Sequence, residues 1–143
     1  MKIILVFLLT FSSFIAHAKD ALEGEWKFVE IIMDDVHYPP PNPDLDLRFT
    51  FDGEKISRLY WTRADEVGFC DRLAIYSYGN EQLYQKIVWV NPHNDLKCAQ
   101  DQDMQLGGES EIRAVRKNNQ LFVDVQFGDK YVVYVFNKVS NIN

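Results

Sequence analysis

Apolar and polar residues alternate with a period of two along much of the chain. Between Asp44 and Asp52, leucine or phenylalanine at positions 45, 47, 49 and 51 alternates with charged or hydroxyl residues. A second alternation runs from Leu121 to Phe127. Because successive side chains of a β-strand point to opposite faces, each run predicts a strand with one buried and one exposed face.

Turn sequences separate further runs of this kind. Asp52-Gly53, Gly79-Asn80, Asn118-Asn119 and Gly128-Asp129 favour tight turns between antiparallel strands. The predicted strands span residues 25–33, 45–51, 55–63, 69–78, 82–90, 110–116, 121–127 and 130–138. This order predicts an all-β, antiparallel up-and-down meander of about eight strands that closes into a barrel, since closure removes exposed strand edges. A sandwich of two sheets is the alternative.

Two segments break the pattern. The segment from Val36 to Asp44 contains Pro39-Pro40-Pro41-Asn42-Pro43, and proline lacks the N–H that a sheet interior requires. We expect a stiff, extended loop there. Residues 91–108 are polar, and a loop of this length in a compact domain is often functional.

The N-terminus has the three parts of a secretory signal peptide. Lys2 supplies the positive charge, Ile3 to Phe11 is apolar, and Ala16-His17-Ala18 matches a small-x-small cleavage site. A membrane anchor is the alternative, but a span needs about 20 apolar residues. We therefore expect residues 1–18 to be removed, and residues 19–143 to form a single domain in the periplasm or outside the cell.

The chain has two cysteines, Cys70 and Cys98. An even number of cysteines in an exported protein indicates a disulfide, and two residues allow one intramolecular pairing. A cysteine nucleophile assisted by His93 is the alternative, but an oxidised cysteine cannot act as a thiolate.

Charge and composition exclude several kinds of partner. The chain carries 15 basic and 21 acidic residues, a net charge of −6. Nucleic acids and anionic membranes attract basic surfaces, so we expect neither as a partner. The 47% share of hydrophobic residues is too high for intrinsic disorder. We expect a monomer without a membrane span or a cofactor.

The start of the first predicted strand carries a family signature. Leu22-Glu23-Gly24-Glu25-Trp26 resembles the Gly-x-Trp motif of lipocalins. The resemblance implies that Gly24 and Trp26 have structural roles, with Trp26 closing one end of an up-and-down barrel. In that family a late arginine packs on the tryptophan, whereas here Arg113 and Arg116 lie two strands before the last.

The same start is also similar to the small secreted META-type domain. The Gly-Cys-Asn signature of that family would fall at Gly68-Phe69-Cys70-Asp71, where a phenylalanine is inserted and aspartate replaces asparagine. We rank this resemblance second.

Several strand residues are candidates for binding a small apolar or amphipathic ligand in the barrel. Tyrosine and tryptophan combine a large apolar body with a polar tip, and an inward arginine can hold a carboxylate in a bidentate pair. The candidates are Arg58, Tyr60, Arg72, Tyr76, Tyr84 and Trp89. The alternative is a protein-binding or inhibitory module that acts through loops 36–44 and 91–108.

We expect no enzymatic activity, because the chain has no nucleophile elbow, zinc motif or phosphate-binding loop. Asp95, Asp101 and Asp103 suggest a calcium loop, yet the turn glycine and later glutamate of such loops are missing. We therefore expect no bound metal.

Overall fold

The computed structural model describes residues 21–62 and 68–140, and within them nine strands form one antiparallel sheet. The strands are β1 (Gly24–Met33), β2 (Val36–Tyr38), β3 (Asp46–Phe51), β4 (Ile56–Thr62), β5 (Phe69–Gly79), β6 (Gln82–Val90), β7 (Glu109–Lys117), β8 (Gln120–Phe127) and β9 (Lys130–Lys138). Strands β3 to β9 pair in sequence, β3 also pairs with β1, and β9 pairs back with β1. The eight-stranded barrel is confirmed, and the sandwich alternative is wrong. The predicted signal peptide and Arg63, the last residue predicted for the third strand, lie outside the described residues.

The extra strand β2 was not predicted. Residues 36–44 were expected to be loop throughout, but Val36, His37 and Tyr38 pair with Met33, Ile32 and Ile31 of β1. The prolines start only at position 39, so these three residues keep the N–H groups that a sheet needs. As a result, β2 extends the barrel wall beyond the start of β3.

The two ends of the barrel differ. At one end β1 begins, β9 ends, and the tight turns 52–55, 80–81 and 118–119 join neighbouring strands. We call this the closed end. At the other end lie the turn 34–35, segment 39–45, loop 91–108 and the turn 128–129. We call this the open end.

The closed end is filled by one aromatic core. It contains fully or almost fully buried side chains from both sides of the barrel, among them Trp26, Phe28, Phe49, Phe51, Tyr76 and Phe136. The ring centroids of Phe51 and Tyr76 are 5.0 Å apart in an edge-to-face arrangement. The Tyr76 hydroxyl donates to the carbonyl of Asp52 at 2.9 Å, so its polar tip is satisfied in the core.

Trp26 lies at the base of this core. Its side chain is fully buried, and its indole Nε1 donates to the carbonyl of Leu22 at 2.7 Å. Gly24, two residues earlier, has φ +125°, and a Cβ there would lie 2.8 Å from Cε of Lys138. Both observations explain why the chain needs glycine and tryptophan at these positions.

Two cations cover the Trp26 ring. The guanidinium of Arg116 in β7 lies 5.9 Å from the ring centroid, and Nζ of Lys138 in β9 lies 5.1 Å from it. Arg116 also donates to the carbonyl of Ala21 at 2.6 Å. A cation therefore reaches the tryptophan from an earlier strand as well as from the last one.

The predicted disulfide is confirmed. Cys70 and Cys98 are bonded, with their Cα atoms 5.7 Å apart. The bond fastens loop 91–108 to β5, and the backbone N–H of Asp95 donates to the carbonyl of Phe69 at 2.9 Å beside it. Gly68 has φ +119°, and a Cβ there would lie 3.0 Å from the Asp95 side chain. The close contact between the start of β5 and loop 91–108 therefore requires glycine at position 68.

Candidate functional site

An apolar cup lies toward the open end, above the aromatic core. Its members are hydrophobic side chains that pack against the core but stay partly exposed: Ile31, Leu45, Leu47, Leu59, Ile112, Val125 and Tyr134. Strand β2 extends this lining, because its pairing with β1 turns Val36 and Tyr38 to the same face as Ile31. Val36 and Tyr38 keep 49% and 42% of their surface exposed, so the cup is accessible at its rim.

Loop 91–108 covers another part of the open end. Residues 96–100 and 102–104 form short 3₁₀ turns, and Met104 is buried with Cys70 and Cys98 against Leu59 and Trp61. The backbone of Gly107 and Gly108 hydrogen-bonds Ile87 of β6. The loop is therefore fixed to the inner side of the wall formed by β4, β5 and β6.

A polar cluster lies inside the barrel beneath this loop. Arg72, Gln85 and Ser57 are each at least nine-tenths buried. Oε1 of Gln85 accepts from Nη1 of Arg72 and from Oγ of Ser57, both at 3.1 Å. Nε of Arg72 donates to the backbone carbonyl of Asp103 at 3.1 Å, and the guanidinium lies 5.8 Å from the Phe49 ring centroid. Arg72 thus stands between the aromatic core and the loop.

Burial changes the titration of this cluster. The pKa of Arg72 falls to about 10 because burial disfavours the charged form, although the carboxylates of Asp103 and Asp101 oppose the shift. Burial raises the pKa of Asp103. The guanidinium therefore remains charged at neutral pH, inside the barrel.

The open end is acidic. Its described connecting segments contain one lysine, Lys97, and seven aspartates: Asp34, Asp35, Asp44, Asp95, Asp101, Asp103 and Asp129. Asp95 and Asp101 accept hydrogen bonds from the backbone N–H groups of Lys97 and Asp103, so two of the suspected calcium ligands cap 3₁₀ turns instead. In residues 21–62 and 68–140, no group of three or more His, Cys, Asp or Glu residues is arranged to hold a metal ion.

Solved structures with a similar fold include a lipocalin-like protein from Bacteroides uniformis ATCC 8492. It matches with a TM-score of 0.55 and 13% identity over 82% of this chain and 98% of that one. The fold is lipocalin-like. An uncharacterized protein from Bacteroides eggerthii DSM 20697 matches with a TM-score of 0.49 and 12% identity, covering 82% of this chain and 99% of that one.

No family model matches the chain, and no curated protein matches its sequence. The META-type alternative therefore has no support from these comparisons. Within the described ranges, no helix of the lipocalin-like chain is long and apolar enough to cross a membrane.

The barrel places the six predicted ligand residues on both of its faces. Arg72 and Tyr76 point inward, and Tyr76 belongs to the aromatic core. The other four lie on the outer face: Arg58, Tyr60, Tyr84 and Trp89. Those four do not line the interior, so the expectation that they face a barrel cavity is wrong.

A β-bulge explains the position of Trp89. In β6, Leu83, Gln85 and Ile87 face inward, and strict alternation would place Trp89 on the same side. The register between β5 and β6 shifts by one residue after Ile87, so that Trp89 pairs with the outward Leu73. Trp89 is 39% exposed as a result.

Arg58 forms an ion pair on the outer face. Its Nε and Nη2 donate to the two carboxylate oxygens of Asp71 at 2.8 and 2.9 Å. Burial acts to raise the pKa of Asp71, but hydrogen bonds from Arg58 and Asn91 outweigh it and lower this pKa. Arg58 also lies 5.4 Å from the Tyr60 ring centroid.

We expect Arg58→Met to destabilise the protein by about 2 kcal/mol at pH 7, because the buried Asp71 carboxylate loses its charged donor. Since the pKa of Asp71 is lowered by folding, the pair contributes its full stability above the unfolded pKa of about 4, and this contribution is lost as pH falls through the lower, folded-state pKa. Urea unfolding at pH 7 and pH 3 measures the loss of stability, which should be smaller at pH 3.

Arg113→Met is the control for this variant, because it removes an exposed ion pair with Glu81. A loss as small as that of the control would contradict this account of Asp71.

A shallow groove of about 470 Å³ also lies on the outer face of β1, β3 and β4. It is lined by Glu25, Asp46, Arg48, Thr50, Arg58 and Tyr60. Arg48 hydrogen-bonds Glu25 and Asp46, and Arg58 hydrogen-bonds Asp71. The two guanidinium groups that line this groove, those of Arg48 and Arg58, therefore already have carboxylate partners.

Gln85 and Ser57 were not predicted as site residues. Both are polar residues at inward positions of otherwise apolar faces, next to Leu83 and Leu59 respectively. A polar residue on the buried face of an alternating strand was the available signal. No such signal pointed to Met104, because its burial against the barrel depends on how loop 91–108 folds.

Proposed function

We propose that this protein is a binding protein, and not an enzyme, that holds a small apolar or amphipathic molecule in the apolar cup. The observation that carries the proposal is the difference in side-chain burial between the two ends of the barrel. The fully buried core cluster around Trp26, Phe51 and Tyr76 lies at the closed end, whereas several inward apolar side chains toward the open end, among them Ile31, Leu45 and Leu47, remain partly exposed. Exposed apolar surface inside a concave site favours an apolar ligand.

Two buried side chains of loop 91–108 support this function. Met104 and Cys98 of loop 91–108 are buried against the barrel. These two side chains are therefore already in contact with their own domain, next to the cup, whereas Leu96 and Leu106 of the same loop remain 90% and 70% exposed. We propose that the loop forms one wall of the ligand site.

We also propose that the protein acts outside the reducing cytoplasm. The Cys70–Cys98 bond supports this, because disulfides persist in oxidising compartments. The signal-like N-terminal sequence supports it independently.

Neighbouring isoleucines of β1 test the proposed site. Ile31 faces the cup and Ile32 faces outward, and both are partly buried. We expect Ile31→Glu to weaken binding of the neutral apolar dye Nile red by about tenfold, since it places a charge among apolar contacts. The matched variant Ile32→Glu should change binding by less than about twofold.

Fluorescence titration measures both affinities, and melting curves show that each variant is folded. Absence of Nile red binding to the unchanged protein would overturn the proposed function. Equal weakening by the two variants would place the dye outside the cup.

A further inference from the structure

Arg72 is a buried cation without a hydrogen-bonded carboxylate. Its acceptors are the backbone oxygen of Asp103 and the amide oxygen of Gln85, both uncharged. The outer arginine Arg58, by contrast, is only half buried and is paired with Asp71 through two hydrogen bonds. Buried charges in proteins are almost always paired, because removing them from water is costly.

Two NH₂ groups of this cluster have no acceptor among the described residues. They are Nη2 of Arg72 and Nε2 of Gln85. The orientation of the Gln85 amide is settled, since arginine only donates and the atom facing it must be the oxygen. Both unused groups are therefore donors, on neighbouring side chains.

These donors border space inside the barrel. In the described part of the chain, no fully enclosed side-chain nitrogen or oxygen lacks a hydrogen-bond partner. Nη2 and Nε2 have no partner, so each must retain contact with space that a water-sized group can enter. An acceptor placed there would meet an amide donor and a charged donor together.

We propose that Arg72 and Gln85 form the subsite for a carboxylate at the polar end of the ligand, whose apolar chain lies in the cup. This inference rests on the proposed function and names the ligand class of that site. A carboxylate supplies both the hydrogen-bonded negative charge that Arg72 lacks among the described residues and the two acceptor oxygens that the donor pair can use. The two nearby aspartates attract Arg72 through space without occupying this subsite: Asp103 accepts from Arg72 with its backbone oxygen, and the Asp101 carboxylate accepts from the N–H of Asp103.

The acidic open end affects entry of such a ligand more than its retention. Seven aspartates in the described connecting segments repel an approaching anion, but salt screens this repulsion beyond about 8 Å at physiological ionic strength. Association of a carboxylate should therefore accelerate as salt is raised from low concentration. Association of a neutral ligand should not.

Dodecanoate and dodecan-1-ol test the subsite, because they share a chain and differ in the head group. In the unchanged protein we expect dodecanoate to bind about tenfold more tightly, as measured by calorimetric titration. Arg72→Met should reduce this preference to less than about twofold while dodecan-1-ol still binds. Gln85→Leu should reduce it in part, and the exposed Arg113→Met should leave it intact.

The outcomes separate the two proposals. Equal affinity for the two compounds in the unchanged protein overturns the carboxylate subsite and leaves the proposed function standing, whether or not the variants fold. A preference that survives in folded Arg72→Met also overturns the subsite. Binding of neither compound, with no binding of Nile red, overturns the proposed function itself.

Discussion

Replacing Trp26 by alanine is expected to lower the free energy of unfolding by about 3–5 kcal/mol, the range for deleting a buried large aromatic side chain. The side chain is fully buried, donates to the carbonyl of Leu22 and lies beneath Arg116 and Lys138. Alanine would leave a cavity under two cations that then lose their aromatic partner. Urea unfolding measures the loss.

Trp89→Ala is the matched control, because it removes the same side chain from the outer face, where it is 39% exposed. This variant should lose much less stability, about 1 kcal/mol or less. If the two variants lose equal stability, Trp26 does not have the structural role assigned to it. Trp26→Phe should fall between them, since it keeps a ring but loses the hydrogen bond to Leu22.

Removing the disulfide is also expected to lower the free energy of unfolding by a large amount. The double variant Cys70→Ala/Cys98→Ala is expected to lose about 3.5 kcal/mol, because the bond closes a loop across a sequence separation of 28 residues in the unfolded chain. The loop should also detach more readily from β5. We therefore expect limited proteolysis to cut within residues 91–108 in the variant and not in the oxidised protein.

Segment 39–45 provides the internal control for that experiment, since it also lies at the open end but has no link to the disulfide. Its cleavage rate should stay the same in both proteins. A loss below about 1 kcal/mol without new cleavage in 91–108 would show that Met104 and the backbone contacts hold the loop unaided. Mass spectrometry after alkylation without reductant should find no free thiol in the unchanged protein.

The barrel was predictable because its signals are local. Alternation in residues such as Leu47, Phe49 and Phe51 requires one buried face, and Asp52-Gly53 favours a turn directly after it. The short strand β2 was not predictable from the proline content of its segment, because pairing depends on where the first proline falls. The disulfide followed from counting cysteines in a chain with a predicted export signal.

The site was harder to predict, since it depends on register. Arg58 and Arg72 both lie in strands with aromatic residues, and only the strand pairing shows that one faces Asp71 outside while the other faces Gln85 inside. A single bulged position, Val88, turns Trp89 outward. Residue counting cannot locate a bulge, because the extra residue carries no distinctive chemistry.

The position of the strand ends also determines how the protein can be immobilised on a surface or fused to a reporter. β1 begins and β9 ends at the closed end, about 20 Å from the rim of the cup for strands of this length and the usual barrel tilt. An affinity tag placed after Val139 should therefore hold each barrel on a sensor chip with its cup toward the flowing solution. A bulky fluorescent reporter fused at the same point should leave the proposed ligand entrance unobstructed.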